Sequence, residues 1–340
     1  YYLEETNKNF TAKEEIKSPC SDFSSNHLFE VTYYKRKINL QEGKFMAKVS
    51  KELIGKRALV TGSNAGIGKA IALRLAEEGA THIAIHGRNK ERLEAVAKEL
   101  EAKGVKVHIS AFDVCDKAAC RQMVRDVIED FGGIDIVVNN AGMGYSVPFL
   151  DVEDSYLDFM YNANFGSTYV ITQEAAKWMI ANNVKGVILV DSALAEFGGL
   201  TGQPVYAAVK AAMINLVKSV SRVLAPYGIR IVSVSPGFTN TMAMDKEGDA
   251  EAKHVRETLP KVMPLGRMAD PEDIAAVFVF LATHDANYIT GVNIVVDGAV
   301  TSDSVSVPWL EALQGNLTGG LITEKYLDPE CERAQDLKTK

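Results

Sequence analysis

The chain has 340 residues, of which 37 are basic and 44 acidic, for a formal net charge of −7. Apolar residues make up 47% and charged residues 24%, the balance of a globular protein with a large core, which excludes wholesale disorder. The acidic balance argues against a sequence-blind nucleic-acid binder, which needs a basic face. The longest apolar run, residues 274–282, is nine residues, short of the about 20 that cross a membrane.

Residues 1–45 mix Lys, Glu, Asn and Ser with isolated aromatics and no sustained period. Met46-Ala47-Lys48 would suit the start of the domain that follows, so this stretch is expected to be a poorly ordered extension without chemistry. It has no apolar segment of the kind a secretory signal needs. From Lys56 onward, short β-branched runs alternate with helical patterns. Strands are predicted over 58–61, 82–86, 105–110, 134–139, 187–190, 230–235 and 293–296. Residues 68–78 place Ile71, Ala72 and Leu75 on one helix face, with Gly79 as a stop signal. Residues 117–131 put Met123, Val124, Val127 and Ile128 at helical spacing. This alternation predicts an α/β domain over 46–300: a doubly wound, seven-stranded parallel sheet flanked by helices. The tail, 301–340, carries an apolar patch (Val307, Trp309, Leu310, Leu313) and is expected to be partly docked. The four cysteines, Cys20, Cys115, Cys120 and Cys331, form no CxxC pair and have no histidine at metal spacing. They read as reduced thiols of a cytoplasmic protein, with no metal site.

The first predicted strand runs into Thr61-Gly62-Ser63-Asn64-Ala65-Gly66-Ile67-Gly68 and then a helix. Glycines there let the backbone approach a pyrophosphate, and the helix start offers free N–H groups and positive dipole. Further along come Asn139-Asn140-Ala141-Gly142 after the fourth strand and Tyr206-x-x-x-Lys210 on a helix. Pro236-Gly237 follows the sixth strand, and Ile289-Thr290-Gly291 precedes the last. In this order, over about residues 55–298, the set resembles the classical short-chain dehydrogenases/reductases. Residues 202–210 are similar to the 3-oxoacyl-carrier-protein reductase branch.

The resemblance implies a Rossmann-type sheet and a bound nicotinamide dinucleotide. Gly62, Ser63, Asn64, Gly66, Ile67 and Gly68 would hold its phosphates. No acidic residue that would favour NAD occurs from His82 to Lys90, whereas Arg88 suits a 2′-phosphate, so NADP(H) is expected over NAD(H). In relatives an aspartate at the place of Asp113, followed here by Val114, accepts from the adenine amino group. Asn139, Ala141 and Gly142 would pass along the adenosine ribose. Pro236 and Gly237 would meet the nicotinamide, the backbone N–H of Thr239 its carboxamide, and Thr241 would lie near the phosphates.

Tyr206 and Lys210 are four apart, so a helix puts them on one face. A phenol titrates near 10, and a nearby ammonium is expected to lower that value. A tyrosine so tuned can exchange a proton with a carbonyl or alcohol oxygen, and Lys210 can also hold the nicotinamide ribose, so Tyr206 and Lys210 are expected to meet the cofactor as well. Ser192 ends the fifth strand, where ligands sit in open α/β sheets, and would hold the reacting oxygen. Asp191 lies beside it, but no histidine is placed to complete a hydrolase triad. By resemblance Asn164, in preference to Asn162, would bend a helix and hold a water in a proton relay to Lys210.

The expected activity is interconversion of a small carbonyl and a secondary alcohol by direct hydride transfer. Alternatives are reduction of 3-oxoacyl chains on a carrier protein, an NAD-dependent sugar or steroid dehydrogenase, and a silent dinucleotide sensor. Residues 143–150, 193–203 and 242–266, with Tyr145, Phe149, Leu194, Phe197, Leu200, Met242, Met244 and Met263, would line an apolar pocket or simply pack beneath loops. Residues 177–185 and Arg222 give only a lightly basic surface for an acidic carrier, which favours a free small molecule. A homodimer or homotetramer is expected, with the Tyr206 helix offering Ala211, Met213, Ile214 and Val217 for packing.

Overall fold

The computed structural model describes residues 51–144, 147–194, 202–241, 258–261 and 263–302. The expectations for the extension 1–45 and for the tail beyond residue 302 lie outside these residues. In chain order the elements are β1 (Arg57–Val60), α1 (Gly66–Glu77), β2 (His82–Gly87), α2 (Lys90–Glu101), β3 (Lys106–Ala111), α3 (Lys117–Phe131) and β4 (Ile136–Asn139). Then follow α4 (Asp154–Met160), α5 (Ser167–Ala181), β5 (Val187–Asp191), α6 (Pro204–Leu224), β6 (Arg230–Pro236), α7 (Pro271–Ala282) and β7 (Asn293–Val296). Every predicted strand is present, with ends displaced by no more than 2 residues.

Local chemistry sets the helix ends. The Asn89 side chain accepts from Arg92 N at 2.8 Å to start α2. Asp116 accepts from Ala118 N and Ala119 N, both at 2.9 Å, to start α3, which stops at Gly132 in the left-handed region. Asp270 and Asp273 form a capping box on α7, with Pro271 in its first turn.

All strand pairs are parallel, in the order β3-β2-β1-β4-β5-β6-β7. Helices cover both faces, which is why the strands read as near-continuous apolar runs. Side chains alternate between two cores. Ala58, Val60, Ile83, Ile85 and Leu189 pack with Ile71 and Leu75 of α1, Leu93 and Leu100 of α2, and Phe278 of α7. Leu59, Ala84, Val137, Ile188 and Ile231 pack with Val124 of α3, Ile171 of α5, and Met213 and Val217 of α6. Fully burying one such Leu, Ile or Phe side chain is worth about 1.5–3 kcal/mol. The chain diverges left and right of β1 and β4, and the carboxyl ends of those strands open into the crevice where this architecture binds ligands.

Candidate active site

The turn after β1 is shaped by glycine. Gly62 and Gly66 adopt φ of +66° and +55°, which side-chain-bearing residues rarely do. A Cβ on Gly68 would run into the Gly62 carbonyl and lie 2.5 Å from Asn140 Nδ2. Asn140 holds this turn from the β4 side, donating from Nδ2 to Thr61 O at 2.8 Å and Gly62 O at 3.2 Å. In return Thr61 Oγ1 accepts from Asn140 N and Ala141 N, both at 3.0 Å. The loops after the two central strands are thereby stitched together.

The same turn is clamped from β2 by His86, which sequence reasoning missed. Ser63 N donates to His86 O at 2.9 Å, and His86 N donates to Ser63 Oγ at 3.0 Å. The imidazole is buried, with Nδ1 facing Gly62 N at 3.5 Å and Nε2 facing Phe112 O at 3.2 Å. One ring can satisfy both only when neutral, Nε2 donating and Nδ1 accepting. Burial agrees, pushing the imidazole down to about 4 against the opposing Phe112 carbonyl.

A cleft of about 620 Å³ opens over this turn. Gly62, Asn64, Gly66, Ile67 and Gly68 form its floor, and Arg88, Asp113 and Val114 its end at β2 and β3. Ala141, Gly142, Tyr206 and Thr241 complete the wall, joined by His86, Arg92, Asn140, Phe159 and Asp191, which sequence reasoning did not place there. Arg88 leans over the opening, with Nη1 3.7 Å from Asp113 Oδ2 and Nη2 4.0 Å from Met143 Sδ. The Cys115 backbone N–H holds the Asp113 carboxyl below its usual range against the opposing effect of burial, with a smaller downward pull from the Arg88 guanidinium.

Two expected dinucleotide contacts turn inward. Ser63 is fully buried and donates Oγ to Val60 O at 2.8 Å. Asn139 is buried and donates Nδ2 to Thr172 Oγ1 of α5 at 3.1 Å. Strand parity aims Asn139 at the helix layer and leaves its neighbour Asn140 for the cleft. Pro236 and Gly237 end β6 against β7, with Gly237 N donating to Val296 O at 2.8 Å. Thr239 is buried and donates Oγ1 to Gly237 O at 3.0 Å. The side chain of Thr241 approaches the glycine turn closely enough that a Cβ on Gly66 would lie 3.4 Å from it.

At the other end of the cleft, three expected side chains converge on Gly142 and Gly144. A Cβ on Gly142 would lie 2.5 Å from Asn164 Oδ1 and 3.4 Å from Lys210 Nζ; one on Gly144 would lie 2.5 Å from Tyr206 Cδ2. Asn164 sits in a π-helical turn, Tyr161–Gly166, between α4 and α5. The widened turn lets its Nδ2 donate to Met160 O and across to Met143 O, both at 3.0 Å, while Oδ1 accepts from Met143 N at 3.2 Å. Lys210 Nζ lies 5.6 Å from the Tyr206 ring centre and donates to Asp191 O at 2.8 Å. Ser192 is buried beside them, and its Oγ donates to Lys210 O at 3.0 Å. This hydroxyl is aimed at the α6 backbone, so reaching toward Tyr206 requires a rotation about its Cα–Cβ bond.

The electrostatics differ from the sequence expectation. Lys210 was expected to draw the phenol below its ordinary value; in the fold burial dominates and, with the Asp191 carboxylate, pushes Tyr206 up. Burial also lowers Lys210 against the pull of Asp191. Of the expected apolar lining, Leu194 and Met263 pack with Leu259, Met268 and Phe238 in a small separate core. Phe149 is exposed, and Tyr145, Phe197, Leu200, Met242 and Met244 lie outside the described residues. Among the described residues no group of three or more His, Cys, Asp or Glu could hold a metal ion, and no helix is long and apolar enough to cross a membrane.

Comparison with known proteins identifies relatives of this fold. The family described as Enoyl-(Acyl carrier protein) reductase matches residues 62–301. A 3-oxoacyl-[acyl-carrier-protein] reductase of Thermotoga maritima is 36% identical over 248 residues, covering 73% of this chain and 98% of that protein. A short-chain dehydrogenase from Burkholderia cenocepacia, solved in complex with NADP, superposes with a TM-score of 0.66 at 34% identity, covering 73% of this chain and 98% of its own. A 3-oxoacyl (acyl-carrier-protein) reductase from Agrobacterium tumefaciens, solved with NADP bound, gives a TM-score of 0.69 at 27% identity, covering 78% and 99%.

Proposed function

The chain belongs to the classical short-chain dehydrogenases/reductases, is related to their 3-oxoacyl-carrier-protein reductase branch and is an NAD(P)-dependent oxidoreductase; from that premise we propose that it interconverts a carbonyl and a secondary alcohol with NADP(H), using Tyr206 as the acid/base. The observation that carries this reading is the meeting of Tyr206, Lys210 and Asn164 around Gly142 and Gly144, at one end of a cleft whose floor is the glycine turn.

The residues present fit a dinucleotide. Gly62 and Gly68 let the turn close against Asn140, where a Cβ would clash, and the start of α1 offers its free N–H groups for a pyrophosphate beside it. Arg88 and Arg92 at the β2 end supply positive charge for a 2′-phosphate. Asp113 suits the adenine, Ala141 and Gly142 the ribose. The backbone at Pro236, Gly237 and Thr239 suits the carboxamide, and Thr241 the phosphates.

The bound cofactor supplies the hydride; the protein supplies position and protons. Tyr206 Oη delivers a proton to the carbonyl oxygen in reduction and removes one from the alcohol in oxidation. Lys210, buried beside the phenol, would as an ammonium stabilise the phenolate that follows. Asn164 holds the Met143 backbone against the π turn, which fixes the wall facing Tyr206. Ser192, once rotated, polarises the substrate oxygen.

A free small carbonyl is the leading substrate class. Likeness to 3-oxoacyl-carrier-protein reductases supports the second reading, a 3-oxoacyl thioester on an acidic carrier. The active species is a homodimer or homotetramer. The aromatic ladder of Tyr161, Phe165 and Tyr169, with centroids 5.3 and 6.1 Å apart and both tyrosines exposed, supports this. The test is consumption of NADPH and NADH against ketones, sugars, steroids and 3-oxoacyl thioesters, on free and carrier-bound chains. Turnover of a ketone or oxoacyl substrate with NADPH preferred is expected; tight dinucleotide binding with no turnover of any carbonyl would sink the enzyme reading in favour of a sensor.

A further inference from the structure

Asp191 is an odd occupant of its position. It is the last residue of β5, lies directly before Ser192 and contributes to the cleft beside Tyr206. Only 8% of its surface is exposed, and its Oδ1 is buried with no hydrogen-bond partner among the described residues. Buried carboxyl oxygens are ordinarily hydrogen-bonded, and an orphaned one in a ligand cleft marks either strain or function. Its main-chain oxygen already receives Lys210 Nζ at 2.8 Å, so the carboxyl, the ammonium and the phenol are held in one cluster by the end of β5 and one turn of α6.

We propose that Asp191 is a third ionisable member of the Tyr206–Lys210 centre, a positioning residue whose own protonation sets the charge that the phenol works against. This rests on the reading of Tyr206 as the acid/base.

The groups acting on Asp191 and their signs follow from what packs around it. From α6 it faces Lys210 and Tyr206. On β6 it is paired with Val234, and the neighbouring end of β4 carries Asn139 and Asn140, none of them charged. Burial pushes the Asp191 carboxyl up to about 7 against the pull of Lys210. The carboxyl therefore changes charge in the neutral range. Below it, Asp191 is neutral and the attraction of the Lys210 ammonium for a phenolate is unopposed. Above it, the carboxylate holds the proton on both Tyr206 and Lys210. An ionised Asp191 thus keeps Tyr206 a proton donor into alkaline solution, which extends carbonyl reduction upward in pH. It also delays the onset of alcohol oxidation, which needs the phenol deprotonated.

Two measurements test this on the full chain. The first uses no substrate: aspartate is labelled with carbon-13 at the carboxyl, and the resonance missing in Asp191→Asn is followed against pH. A midpoint near neutral is expected; a carboxyl that ionises below pH 5, as an ordinary aspartate does, overturns the proposal. Asp191→Ser provides the same assignment if the amide variant does not fold, and quenching of fluorescence by NADPH reports folding in either. The second is the pH profile of kcat/KM. In Asp191→Asn the alkaline limb of reduction and the acid limb of oxidation both move to lower pH by on the order of one pH unit, and Asp191→Glu restores them. A profile that superposes on the parent protein's while Tyr206→Phe is inactive overturns the role of Asp191 alone. An active Tyr206→Phe overturns the reading beneath it.

Discussion

The two ends of the cleft are built by different physics. At the proposed dinucleotide end, the turn after β1 is held by backbone and neutral groups: Asn140, Ser63, Thr61 and an uncharged His86. The shape of this turn is fixed sterically, because a side chain at Gly68 has nowhere to go. At the proposed catalytic end lie three buried or partly buried ionisable groups, Asp191, Tyr206 and Lys210, with Asp191 acting on the other two. Shape suffices for binding a fixed ligand, whereas proton transfer needs charges whose balance can move. Changes at the first end should therefore alter dinucleotide affinity, and changes at the second should alter turnover and its pH dependence.

Gly142 is where the two ends meet, and its replacement should break the division most severely. In Gly142→Ala the new methyl would lie 2.5 Å from Asn164 Oδ1, so the amide or the loop must shift. Overpacking of this kind costs about 1–3 kcal/mol, and a displaced wall opposite Tyr206 is expected to lower kcat by about a hundredfold. Thermal unfolding and steady-state kinetics on one sample check both; full kcat would mean that the Asn164 contact does not position the site.

Arg88→Ala sharpens the comparison at the binding end. Loss of a charge-assisted contact worth about 1.5–3 kcal/mol should weaken NADPH by about ten- to a hundredfold and leave NADH nearly unchanged, with no change in the shape of the pH profile. Calorimetric titration with each coenzyme decides it, and equal losses for both would remove Arg88 from 2′-phosphate recognition.

The smallest effect on the cleft's function belongs to His86. Its folded-state value near 4 lies below the ordinary 6.5, so the unfolded chain takes up a proton first as pH falls. Stability is full above about pH 6.5, declines through the window down to about 4, and loses at most about 3 kcal/mol there. His86→Phe should flatten that part of the urea-unfolding curve and, by removing the acceptor for Gly62 N–H, weaken dinucleotide binding about fivefold. An unchanged acid profile would mean that His86 does not titrate with folding.

The sheet was legible in the sequence because its central strands are buried on both faces and advertise themselves as apolar, β-branched runs, as 187–190 does. The start of α3 was legible because Asp116 caps it locally. The glycine turn and Tyr206 with Lys210 were legible because their spacing is itself the geometry. Side-chain direction at strand ends was not. Asn139 and Asn140 are the same residue type, and only the pleat decides that the first faces Thr172 and the second the turn. The direction of the Tyr206 shift was also hidden, since it comes first from burial, which the fold alone creates, and then from Asp191, fifteen residues away in sequence and adjacent only once β5 meets α6. The π turn around Asn164 leaves no local signature that periodicity could register.

The central claim is that Tyr206 moves the proton in a site whose dinucleotide end is independent of it. Tyr206→Phe, measured for NADPH affinity by fluorescence and for carbonyl reduction by single-turnover kinetics, tests it directly. The prediction is binding within about twofold of the parent protein and a loss of about 10²–10⁴ in the chemical step. Reduction at the parent rate with intact binding would contradict the account and place the acid elsewhere in the cleft.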